Sequence, residues 1–107
     1  VITAGNGTAR FINRQGQTYR IVGAWVTAGI VPTGAAILVD VNLNGTTIYT
    51  TQANRPTVPA TQNGGAIATP DVTAFAPGDY LTVDIDQIGS TIAGGNITVG
   101  IVVDKNL

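Results

Sequence analysis

The chain has 107 residues, of which 10% are charged, with five Lys plus Arg against six Asp and a formal net charge of −1. One domain is expected at this length, and so few basic groups exclude the electrostatic footprint that holds nucleic acid or an anionic membrane. Neither Cys nor His occurs, which removes thiolate and imidazole chemistry, the best transition-metal ligands and the usual general base together.

Residues 1–7, VITAGNG, are small and Gly-rich and read as a flexible arm or linker, leaving residues 8–107 as the domain. The chain begins at Val1 and contains no Met, as expected of a fragment of a longer polypeptide or of a chain that has lost its initiator Met. No signal-peptide pattern opens it, and no apolar run approaches the ~20 residues of a membrane-spanning helix.

From Thr8 onward, short β-rich runs alternate with turn letters. TARFIN, QTYRIVGAWVTAG, AAILVDVNL, TTIYTT, GAIATPDVTAF, DYLTVDIDQI and NITVGIVVD are separated by RQGQ, IVPTG, NG, APGD and GSTIAGG. No run has helical periodicity. The pattern predicts an all-β fold, an antiparallel β-sandwich of seven to eight strands, jelly-roll-like or immunoglobulin-like. The missing Cys…Trp…Cys spacing counts against a true immunoglobulin domain.

Alternation assigns the faces. Leu81, Val83 and Ile85 point to the core, as do Ile37, Val39 and Val41 on an earlier strand. On the last strand Ile97, Val99, Ile101 and Val103 face inward, yet Gly100 and Val102 on the other face are not polar. A strand apolar on both faces is buried on both, so cover by other subunits or a neighbouring domain is one reading and a central strand with small outward residues is the other.

VDVNLNGTT, residues 39–47, matches the opening of a calcium loop at Asp40, Asn42, Asn44 and Gly45. The twelfth position, where such a loop needs a bidentate Glu, is Thr51, and the chain has no Glu. The stretch therefore reads as a strand entering an Asn-Gly type I′ hairpin, with Asp40 facing outward; no metal and no cofactor is expected. Asp84 and Asp86 share one strand face at the spacing of a carboxylate pair, and read as a solvated face because catalytic carboxylates normally come from different strands lining a cleft. No enzymatic activity is expected.

For binding, aromatic faces could stack on sugar. Trp25, inside an apolar run, reads as packing, and Tyr49 as the better ligand residue because it precedes the long loop TQANRPTVPATQNGG. That loop carries Arg55, Gln62 and Asn63, and ordered loops on a rigid scaffold are where binding residues gather. A loop packed on a neighbouring subunit is the competing reading. GNG and NGG are turn glycines with no helix after them to complete a phosphate cradle.

The succession VPTGAAILVDVNLNGTTIYTT, NRPTV, APGDYLTVDIDQIGST and GGNITVGIVV resembles small β-sandwich domains of tailed-bacteriophage structural proteins, particularly tail fibres, minor tail proteins and receptor-binding proteins. The resemblance covers residues 8 to 103 and rests on scaffold letters, with no ligand motif to carry over. It implies a virion structural module at the particle surface, a homotrimer in contact with other virion proteins, with a host-surface saccharide bound through loops as a further expectation. A purely architectural fibre, baseplate or capsid-decoration domain, and a carbohydrate-binding module of a secreted hydrolase, are the alternatives.

Overall fold

The computed structural model describes residues 4–105 and contains two packed antiparallel sheets. The strands, in chain order, are β1 (Gly5–Ile12), β2 (Tyr19–Ile30), β3 (Ile37–Leu43), β4 (Thr46–Thr47), β5 (Thr57–Val58), β6 (Ala74–Phe75), β7 (Tyr80–Gln87) and β8 (Gly95–Lys105). The larger sheet has the order β1-β7-β3-β4, with β5 also on β3; the smaller has the order β6-β2-β8. The long strands β1, β2 and β3 fall in alternate sheets, as do β7 and β8, which is the jelly-roll-like habit expected. Among the described residues the one helical element is a 3-10 turn, Gln52–Asn54.

Of the arm expected over residues 1–7, residues 1–3 lie outside the described residues. From Gly5 the chain is strand: Gly5 pairs with Ile85, and the Gly7 N–H donates to Asp84 Oδ1 at 2.7 Å. The glycines permit this. Gly7 takes φ 62° inside a register shift between Gly5 and Ala9, a conformation that costs Gly little.

The core follows the period-2 pattern. Ile37, Val39, Val41, Leu81, Val83 and Ile85 are all buried, and Phe75, Ile21, Ala24 and Val26 meet them from the smaller sheet. Ile97 and Val99 pack against one half of this core and Ile101 against the other, but all three are only part buried, and Val103 is exposed. Asn44 and Gly45 form the hairpin between β3 and β4, with φ 51° and 91°, the two positive values a type I′ turn needs. Leu43 pairs with Thr46 across it.

Candidate functional site

The residues singled out for ligand binding do not converge. Tyr49 is wholly buried between the sheets, and its hydroxyl donates to the Ala68 carbonyl at 3.0 Å. The expected sugar-stacking role is therefore corrected to a core role, since no ring face reaches solvent. The chain leaves β4 at Thr47, and beyond a strand end alternation no longer decides facing; Ile48 and Tyr49 both turn inward. Burial first, and the negative charge of Asp40 second, push the Tyr49 phenol up to about 12.

The loop over residues 51–65 is tied down along its length. The Thr51 N–H donates to Asp71 Oδ2 (3.0 Å), Arg55 Nη1 to Asp86 Oδ2 (2.8 Å) and Arg55 Nε to the Gln52 carbonyl (2.8 Å). Val58 pairs with Ile37, and the Thr61 N–H donates to the Pro32 carbonyl (2.8 Å). Asn63 and Ala28 exchange two bonds: Asn63 Nδ2 donates to the Ala28 carbonyl (3.0 Å) and the Ala28 N–H to the Asn63 carbonyl (2.7 Å). With the bridges Thr27 to Gly64 and Ala24 to Ala68, the end of this loop and the residues just after it cover the side of β2 that β6 is too short to reach. Gln62 is exposed. Of the four, Arg55 alone lines the shallow cavity of about 450 Å³ formed with Asn54, Thr57, Pro59, Ile67 and Thr69.

The carboxylates of the larger sheet's outer face are likewise engaged. Asp84 accepts from Asn42 Nδ2 (2.7 Å) as well as from Gly7, and Asp86 from Arg55. Asp40 is buried, against its expected exposure, because Gln52 and Thr47 lie over it; Thr47 Oγ1 donates to Oδ1 at 2.6 Å.

Two apolar features remain open. Phe11, Leu81, Val83, Val99, Ile101 and Val103 line a cleft of about 270 Å³ between β1, β7 and β8. Phe11 is 56% exposed at its rim. The second feature is on the outside of the smaller sheet, where Trp25 pairs with Gly100. Trp25 is half-buried and faces away from the core, contrary to the packing role expected of it, because its neighbours Ala24 and Val26 take the inward positions. A Cβ at position 100 would collide with Trp25 Cε2 and Cζ2, so glycine supplies the floor on which the indole lies. Ile67 uses Gly23 in the same way, and Thr27 and Thr98 pair beside Trp25. The signal was present in the sequence as a Gly in the middle of a β run, a mark of close approach by another group.

No protein-family model, curated protein or solved structure matches the chain.

Proposed function

We propose that this domain is a structural module of a virion, of the tail-fibre or minor-tail kind, whose task is to be packed against copies of itself and against neighbouring proteins. The observation that carries the reading is the apolar flank where the cleft beside Phe11 opens next to β8, a strand without charge from Gly95 to Val103. Apolar surface of this kind, on a chain with few charges, is characteristic of proteins that bury it in an assembly. The resemblance to phage structural domains agrees with it and implies three copies about a fibre axis at the particle surface. The loop over residues 51–65 is engaged in its own fold, which favours an architectural role over recognition through that loop.

Sedimentation equilibrium of the chain tests the reading. Self-association across a concentration series is the expected result, and a monomer at every concentration would contradict it. A second reading, recognition of a host-surface saccharide, draws support from Trp25, whose outward ring beside Thr27 and Thr98 combines an apolar platform with hydroxyls. Glycan-array binding that is lost in Trp25→Ala would support it, and an array without signal would set it aside.

A further inference from the structure

A free sheet edge is ordinarily guarded by charge, proline, brevity or a bulge, because its unpaired N–H and C=O groups otherwise recruit another strand. Most outer strands of this fold are guarded. β4 and β6 are two residues long, and β1 is interrupted at Gly7 and carries Arg10. β8 is the exception. It pairs with β2 on one side and, among the described residues, with no strand on the other. Its irregular residue, Asn96 at φ 51°, lies near its start, and the register shift of its ladder, between Ile21 and Gly23 opposite Val103 and Val102, places the extra residue on β2, so β8 itself has no inserted residue, charge or proline from Ile97 to Val103. Val99 and Ile101 line the open cleft on one face, and Gly100 and Val102 stand beside Trp25 and Gly23 on the other.

We infer that a second copy of the chain occupies this edge, its β8 pairing antiparallel with the first across a twofold axis at Gly100. The inference rests on the reading that copies of the chain pack on one another; it adds the strand and the register, and it puts a twofold pair in place of the three copies that the resemblance implies. Overlapping Gly95–Lys105 with its own reverse sets Gly100 opposite its mate, Val99 opposite Ile101, Thr98 opposite Val102 and Ile97 opposite Val103. Cross-strand partners share a face, so the inward ladders of both copies stay on one side; a slip by one residue would turn the second copy's ladder outward. Charge agrees with this register. Asp104 falls opposite Asn96 and Lys105 opposite Gly95, so no like charges meet.

The size is also sufficient. At the rise of a strand, Ile97 to Lys105 runs about 30 Å. Covering both faces of such a pair hides on the order of 1,000 Å² in total, the lower bound for a specific interface. Much of the gain comes from the part-buried Val99 and Ile101 and the exposed Val103, since the new backbone bonds largely replace bonds to water.

Sedimentation equilibrium on the native chain is expected to give a reversible monomer–dimer system. Thr98→Lys with Val102→Lys sets two Lys–Lys pairs across the axis, and the expected result is a monomer with native circular dichroism and melting. Thr98→Lys with Val102→Glu turns both into Lys–Glu pairs and is expected to restore the dimer. A dimer that survives the first pair of substitutions, or fails to return with the second, overturns the register and the proposal. A native trimer overturns the β8 pairing and leaves the packing reading standing, whereas a monomer throughout overturns both. If the variants do not fold, amide hydrogen exchange on the native chain decides: protection of Ile97–Val103 rises with concentration if the proposal holds, and unchanged protection sinks it.

Discussion

Trp25 lies across Gly100 on the outer face of the smaller sheet, the indole filling the space that a Cβ on the opposite strand would need. The pair is a size match. Gly100→Ala is expected to drive the ring off the sheet, with a cost of about 1–3 kcal/mol as for other overpacked sites and a red-shifted indole emission. Trp25 is the sole tryptophan, so the fluorescence reports on this contact alone. In Trp25→Ala the same Gly100→Ala change should cost much less, and the double-mutant cycle measures that difference.

Tyr49 makes the fold sensitive to alkali. Its phenol is pushed up to about 12, chiefly by burial, so folding favours the protonated form. The stability this represents is complete below the unfolded value near ~10 and is lost as pH rises from there to the folded value, roughly 2–3 kcal/mol in all. Tyr49→Phe should flatten the melting-temperature curve over that window. At neutral pH it should cost about 1 kcal/mol for the bond to Ala68, no more, because the Ala68 carbonyl keeps the Ala24 N–H at 3.1 Å.

The inward faces of β3 and β7 and the Asn44–Gly45 hairpin were legible because each depends on local rules, a period of two and a positive-φ turn. What alternation could not convey was the state of a residue beyond a strand end, as Tyr49 is, which turns into the core. Trp25 sits mid-strand on the outward parity, but apolar letters on both faces of its run hid that parity, so the buried aromatic and the outward one are the reverse of what type and neighbourhood suggested. The loop over residues 51–65 misled for a related reason. Its length suggested binding, but the edge of β2 that it covers is a long-range need, visible only once β2 proves longer than its partner β6.

Asp79 joins two turns. Asn44 Nδ2 donates to its Oδ1 (3.0 Å) and the Ala76 N–H to its Oδ2 (2.9 Å), while Asn44 Oδ1 accepts from the Tyr80 N–H (3.0 Å). The Asn44 bond first, and the Ala76 bond second, hold the carboxyl below the usual aspartate value. Its contribution is therefore present above that value and is lost as pH falls through the lower, folded one. Asp79→Ala should lower the melting temperature at neutral pH and leave a shallower decline in acid than the native chain shows, as thermal melts from pH 7 to 2 would reveal.

Asn13 is one of two polar residues buried among the described residues, at 3% exposure. It closes the passage from one sheet to the other. Nδ2 donates to the carbonyls of Phe75 (2.9 Å) and Gln17 (3.1 Å), Oδ1 accepts from the Gln15 N–H (2.9 Å), and its backbone bonds Asp79 and Gly78. Asn13→Ala strips the Phe75 carbonyl of a donor in a buried place, so a loss of about 1–3 kcal/mol is expected. Asn13→Asp keeps the bond from Gln15 but faces two carbonyls with a carboxylate, and should be the worse of the two at pH 7. Denaturant unfolding at pH 7 and again near pH 3 checks this, because protonation of the introduced carboxylate restores one donor. The gap between the two variants should narrow in acid, and a gap that stays constant would remove Asn13 from this role.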